Sequence, residues 1–306
     1  MKRPAGQGSS QVAGVARRAF LLLICVGGLA GCLVQRRERI AAPVAAPILR
    51  SATLDELIAQ VRAQQDAIQT LQATVQIEPS VRSDLRGEIV HYRDVRAFLL
   101  IRKPGFLRMI GQYPVVRSTA FDLASDGELF GLYIPSKNRF LVGNSHGGKR
   151  SATGLENLRP QHILDALLVA APQPGEEPVR ELATEGQKSY YIVQILHRAE
   201  SGQLLLARKL WFERVGLTLE RLQIIDEQGE LATDARYARY EETDGVSYPR
   251  EIAVDRPLDS YGLILTVEQL QFNHPLTDDK FQLQQPPGTE LVDLEKASSS
   301  QEATRG

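Results

Sequence analysis

After Cys32 the chain contains no cysteine; its only two, Cys25 and Cys32, sit near the N-terminus of 306 residues. A disulfide scaffold, a cysteine-ligated zinc or iron–sulfur centre and a cysteine nucleophile are thereby excluded from the folded body. Neither sign of charge prevails: 36 Lys plus Arg face 37 Asp plus Glu, a net charge of −1. That balance argues against a nucleic-acid binder that works through a strongly basic surface. A membrane-spanning run is also missing from the N-terminal region, where the apolar stretch 19–26 is too short to cross a bilayer. What remains is 43% hydrophobic and 24% charged. Such a chain is no disordered polymer and is long enough to bury a sizeable core.

The N-terminal region has the layout of an export signal. Lys2, Arg3, Arg17 and Arg18 precede the apolar stretch, and small residues follow it in Gly27-Gly28-Leu29-Ala30-Gly31-Cys32. Leu29-Ala30-Gly31-Cys32 resembles a bacterial lipobox, which implies diacylglyceryl transfer to the Cys32 thiol, cleavage before Cys32 and acylation of the new N-terminus. Arg17-Arg18-Ala19-Phe20-Leu21 partly resembles a twin-arginine signal but lacks the preceding Ser or Thr and the following Lys, so ordinary secretion is expected. Removal of residues 1–31 leaves 32 basic against 37 acidic residues, a mature charge of −5. Three acyl chains suffice for stable anchoring without a transmembrane helix, at about 0.8 kcal/mol per buried methylene.

Four segments are expected: a lipoprotein signal over 1–31, the lipidated Cys32 with a tether over 32–52, one folded domain over 53–295, and a polar, disordered tail over 296–306. Residues 33–52 are rich in Ala, Pro and Arg and show no period, as a tether should. Thr53 with Glu56 predicts a capping box. Leu54, Leu57, Ile58, Val61, Ile68 and Leu71 follow at helical spacing. From Ala73 onward, short β-rich runs alternate with turn residues such as Asp126-Gly127 and Asp244-Gly245. Ile163, Leu164, Leu167 and Leu168 predict a second amphipathic helix within 159–171, and the Pro/Gly/Glu-rich stretch 172–178 reads as a linker. About a dozen strands, two helices and no βαβ alternation make the body mainly β with α, in an antiparallel arrangement.

Catalytic patterns occur without their contexts. Gly143-Asn144-Ser145-His146-Gly147 matches a nucleophile elbow, but that device needs a strand turning straight into a helix, and no helical pattern starts before about Arg159. The same loop approaches a phosphate-binding P-loop through Gly148-Lys149, yet Arg150 stands where Ser or Thr should hold magnesium. His91, His146, His162, His197 and His274 show no metal-ligand spacing, so no metal or cofactor is expected and no catalytic residue is assigned. An enzyme is not expected.

A curved sheet with helices on one face can fill its concave side or leave it open to a ligand. By the two-residue period, Leu99, Ile101 and Lys103 share one side of a strand, Leu107 and Met109 that of the next, and Phe130 and Leu132 that of another. They are the candidate cavity residues, with Ile163, Leu164, Leu167 and Leu168 as the candidate lid.

Four segments resemble one family in order and spacing over about residues 53–294. They are Thr70-Leu71-Gln72-Ala73-Thr74-Val75; Ile101-Arg102-Lys103-Pro104-Gly105-Phe106-Leu107-Arg108; Ser125-Asp126-Gly127 leading to Phe130 and Tyr133-Ile134-Pro135; and Phe281-Gln282-Leu283 with Pro286-Pro287-Gly288. Together they are similar to the periplasmic lipoprotein carrier and outer-membrane lipoprotein receptor superfamily (LolA/LolB). The resemblance implies an unclosed antiparallel β-barrel of about 11–12 strands covered by two or more helices, with an apolar cavity for the acyl chains of lipoproteins. Two positions depart from the pattern. Lys103 stands where the soluble carrier has an arginine that latches its lid, and lysine has no planar fork to offer. Leu107 replaces an aromatic residue.

Anchoring through Cys32 resembles the receptor rather than the carrier. Leu33, not Asp, after the Cys implies the periplasmic face of the outer membrane by the enterobacterial sorting rule. The expectation is a monomeric lipoprotein that binds acyl chains or lipoproteins, with a periplasmic carrier or envelope protein as partner. The alternative is an envelope sensor or scaffold on the same fold. The anchor is directly testable: Cys32→Ala should release the protein from membranes in detergent-free fractionation, while a chain starting near Ser51 stays folded and soluble. A Cys32→Ala protein that still sediments with membranes contradicts the assignment.

Overall fold

The computed structural model describes residues 47–83, 88–147 and 157–296. The export signal, Cys32, most of the tether, the Gly148-Lys149-Arg150 stretch and the tail beyond Lys296 lie outside the described residues. Among the described residues, no helix is long and apolar enough to cross a membrane.

Helix α1 (Leu54–Ala67) starts at the expected capping box. The Glu56 amide donates to Thr53 Oγ1 at 3.2 Å and the Thr53 amide donates to Glu56 Oε2 at 2.7 Å, satisfying two amides that the first turn leaves open. Leu57 and Val61 form its buried face. The helix ends before Ile68 and Leu71, the two apolar residues whose helical spacing extends past it. Ile68 is the extended C-cap and Leu71 already belongs to β1 (Thr70–Ser83), although both are buried. Asn273 makes the stop, its amide donating to Ala67 O at 2.8 Å while its Oδ1 accepts from the Gln69 amide at 2.8 Å.

After β1 come β2 (Glu88–His91), β3 (Val95–Arg102), β4 (Phe106–Gln112), β5 (Thr119–Ser125), β6 (Leu129–Ile134) and β7 (Arg139–Asn144). Helix α2 (Pro160–Leu167) separates them from a second run: β8 (Glu177–Glu185), β9 (Lys188–Arg198), β10 (Leu204–Glu213), β11 (Thr218–Ile225), β12 (Leu231–Thr243), β13 (Val246–Arg256) and β14 (Tyr261–Phe272). Strand β15 (Glu290–Asp293) closes the order. All belong to one sheet, ordered β15-β7-β6-β5-β4-β3-β1-β14-β13-β12-β11-β10-β9-β8, with β2 beside β1. Neighbours are antiparallel except β15 on β7, and the terminal strands β15 and β8 do not pair, so the barrel is unclosed. The chain thus runs two meanders and joins them at β1, which pairs with β3 from Thr70 to Ile77 and with β14 from Leu71 to Val81.

The fifteen strands among the described residues exceed the sequence expectation. The 172–178 stretch runs into β8, an edge strand whose residues are mostly exposed, so it carries no apolar alternation to read. β15 has only four residues and is held by parallel pairing to β7.

The pairing register sorts the concave face into rows. One row runs Ala73, Leu99, Met109, Leu123, Leu132, Leu141 across six strands; the next runs Leu71, Ile101, Leu107, Ser125, Phe130, Gly143. Cross-strand neighbours in such rows touch, and α1 and α2 cover them to form one core that includes Leu57, Val61, Ile163, Leu164 and Leu167. Tight turns keep the strands in step. Gly105 and Gly127 meet so closely that a Cβ on Gly105 would lie 2.8 Å from Gly127 Cα, and Gly127 takes φ 105° in the Asp126-Gly127 turn. Leu107 is fully buried in the second row. Leu107→Ala should therefore cost about 2–5 kcal/mol in chemical denaturation, and a loss below 1 kcal/mol would contradict a packed row at that position.

Candidate functional site

Beyond these filled rows, the concave face continues into two more. One holds Val75, Ala97, Gly111 and Phe121 across successive strands, and the last pairs Ile77 with Val95. Small residues prevail in the first of these. At Gly111 a Cβ would lie 2.3 Å from Phe121 Cε1, so the absent side chain is what lets the Phe121 ring lie over β4. Apolar space remains there. A pocket of about 400 Å³ opens between β1, β3, β4, β5, β6 and α2. Ile77, Val95, Ala120, Phe121 and Leu263 join Met109 and Leu132 on its wall, while Leu158 and Ile163 close it from the helix side. The most exposed lining residues are Tyr92, Arg93, Ser136 and Lys137.

The candidate residues thus divide in three. Met109, Leu132 and the lid residue Ile163 line the pocket. Leu99, Ile101, Leu107, Phe130 and Leu164 lie in the packed core of the same face. Lys103, Leu167 and Leu168 border a separate cleft of about 20 Å³. This cleft has room for about one water and none for an acyl chain. Leu168 is the α2 C-cap rather than a helical residue. Val95, Ala120, Phe121, Ile77, Leu158 and Leu263 were not among the candidates. The alternation of β3 does point to Val95, two steps from Leu99 through Ala97, but nothing in it tells which end of the face stays open.

Lys103 Nζ donates to Gln65 O near the end of α1, and its amide donates to Gln69 O at 3.0 Å. It therefore fastens α1, not α2. Burial lowers the Lys103 pKa, partly offset by Asp66. The second and fourth family-like segments meet: the Phe106 and Phe281 rings stand 5.4 Å apart, Arg102 lies over both, and Arg108 donates to Gln282 O. Arg108 also grips Asp122 through two bonds of 2.6 and 2.7 Å.

Helix α2 is held by the second meander. Its last carbonyls lack helical partners, and sheet tyrosines supply them: Tyr237 Oη donates to Ala166 O and Tyr248 Oη to Leu167 O, both at 2.9 Å. At the other end, Arg256 Nη2 lies 3.0 Å from His162 Nε2. A guanidinium only donates, so Nε2 accepts and the ring proton sits on Nδ1, 3.1 Å from Tyr261 Oη. Arg256 also bonds Asp259 and Thr233. Burial pushes the half-buried Asp165 carboxyl on α2 upward, against the lowering bond from Gln161 at 2.6 Å.

Ser145 is buried, and its hydroxyl pairs with that of Ser125 at 2.8 Å, where it braces two strand ends. His146 beside it is exposed. Among the described residues, no three His, Cys, Asp or Glu side chains gather as a metal site would require.

No family model matches the sequence. No curated protein matches it either. Solved structures similar to it include a LolA superfamily protein from Nitrosomonas europaea, 13% identical, with a TM-score of 0.49 over 76% of this chain and 99% of that one. A domain of an outer membrane lipoprotein-sorting protein from Vibrio parahaemolyticus is 12% identical, with a TM-score of 0.45 over 75% of this chain and 97% of that one. A DUF1329 family protein from Desulfovibrio piger is 14% identical, with a TM-score of 0.45 over 76% and 98%.

Buried tyrosine hydroxyls, the two that hold α2 among them, make stability fall in alkali. Burial pushes the hydroxyls of Tyr237, Tyr240, Tyr248 and Tyr261 up, and burial with the bond to Glu220 pushes Tyr190 up to about 12. In the unfolded chain they ionise near pH ~10. Their contribution is complete below that pH and is lost as pH rises above it, because the unfolded state then releases protons that the folded state retains. Thermal melting between about pH 8 and 12 should show this fall. Tyr248→Phe should lower stability at neutral pH by about 1–3 kcal/mol, by orphaning Leu167 O, and should flatten the alkaline limb. An alkaline limb unchanged in the variant contradicts the assignment.

Proposed function

We propose that the protein is a lipoprotein held by lipids on Cys32 at the periplasmic face of the outer membrane, and that it binds acyl chains without covalent catalysis. In this reading it serves lipid or lipoprotein localisation. The pocket of about 400 Å³ carries the proposal. Its deep wall is apolar and its polar groups stand at the mouth, as in sites where shape and desolvation supply affinity and a few polar groups orient the ligand. Removing apolar chain from water contributes about 25 cal/mol per Å², so a bound chain needs little recognition of its head. The placement of Ile163 on the wall makes α2 part of the site: movement of this short helix changes access to it.

The sensor or scaffold reading draws on the rows that hold Leu99, Ile101, Leu107 and Phe130, which fill the other end of the same face. A protein partner retained after complete delipidation favours it.

Filling the pocket tests the acyl-binding reading. Ala120→Trp and Leu132→Trp each add bulk at the wall, and each should reduce binding of a fluorescent fatty acid at least tenfold while the protein still melts cooperatively. Unchanged binding in both variants, or no binding by the parent protein, rejects the proposal.

A further inference from the structure

The pocket's capacity and its mouth say more about the ligand than its apolar wall does. At about 400 Å³ the pocket lies near the small end of the roughly 300–1,000 Å³ span of sites that enclose one small ligand, which suits one acyl chain rather than several. A second chain would have to lie outside this pocket, because Leu99, Ile101, Leu107 and Phe130 fill the concave face on one side and the cleft beyond Arg93 is a separate, open one that Asp94 borders.

Among the described lining residues, the charges at the mouth are of one sign. Arg93, in the connection between β2 and β3, and Lys137, in the turn between β6 and β7, both line it and are both exposed. Tyr92 and Ser136 add hydroxyl donors beside them. Among the described residues no carboxylate lines the pocket; Asp94, which follows Arg93, borders the neighbouring cleft, whose wall Arg93 and Tyr113 share with the pocket. Among the described residues, neither Arg93 nor Lys137 has an ion pair within 4.0 Å, whereas Arg96 pairs with Glu268 and Arg139 with Glu290. Two unspent cations from separate connections therefore face the opening, each next to a hydroxyl.

We infer that the ligand is a single-chain anionic amphiphile, with its chain in the pocket and its carboxylate or phosphate between Arg93 and Lys137. The inference rests on the acyl-binding reading and narrows it. A free fatty acid and a lysophospholipid share this chemistry. A mouth built for the uncharged, three-chain end of a lipoprotein would need neither the cations nor the small volume.

The test uses the full chain with Cys32→Ala, so that its own lipids do not compete, and follows displacement of the uncharged probe N-phenylnaphthylamine. Palmitate, hexadecanol, palmitoyl lysophosphatidylglycerol and dipalmitoyl phosphatidylglycerol are the competitors. Palmitate or the lysophospholipid should displace the probe at a concentration at least fivefold below hexadecanol, and whichever does so identifies the source. The two-chain lipid should bind no tighter than its one-chain counterpart. In Arg93→Gln/Lys137→Gln the advantage of the anion over hexadecanol should fall towards one, and added salt should shrink it in the parent protein, as for exposed charges.

Hexadecanol equal to both anions, or an anion preference that survives the double variant, overturns the anionic head. Tighter binding of the two-chain lipid overturns the single chain. Failure of probe and of every competitor to bind instead removes the acyl-binding reading itself.

Discussion

Everything in this fold hangs on the pairing of β1 with β14. Each meander is local in sequence and could form its own hairpins, but only the Leu71–Val81 ladder against Phe272–Tyr261 makes one curved sheet of the two. Its register matters as much as its existence. A one-residue slip of β1 would turn Leu71, Val75 and Ile77 from the concave core to solvent. The register shift between Thr74 and Val75 falls in this ladder, where an extra residue on β14 increases the local bend. Asn273, at the end of β14, then fixes where α1 stops.

This seam also divides the labour of the site. The first meander supplies most of the apolar wall through Val95, Met109, Ala120, Phe121 and Leu132, and the second holds the helix that closes it, through Tyr237, Tyr248 and Arg256. Neither half is a site alone. An apolar pocket can persist beside a well-packed core because its rows change composition along the strands: Leu and Ile side chains interdigitate at one end, and Ala97, Gly111 and Ala120 leave room at the other.

The alternation rules made much of this legible. The strands Val95–Arg102 and Phe106–Gln112 each have an alternating buried side and turn residues beyond it, which is what makes them legible in sequence. The concave side of β3 and β4 followed from the same period. The open end of that side did not, since it depends on what is missing above Gly111, and hydrophobic periodicity registers side chains rather than the space between them. β8 was hidden by exposure on both faces. Ile68 and Leu71 matched a helical period while lying in extended backbone, because a buried strand start can continue a helix's apolar spacing by coincidence. The tyrosine hydroxyls on the α2 carbonyls join residues more than seventy positions apart in sequence, and no local pattern announces such a bond.

The central claim is that an acyl chain lies between β4, β6 and α2 rather than on the exposed apolar residues nearby, such as Val115 and Val116. Photolabelling with a fatty acid carrying a diazirine near its methyl end, followed by peptide mapping, addresses it directly. The account predicts adducts concentrated on Met109, Leu132 and Ile163 and their peptides, suppressed by excess unlabelled palmitate. Adducts confined to the Val115 and Val116 loop, or labelling that excess palmitate leaves unchanged, would contradict it.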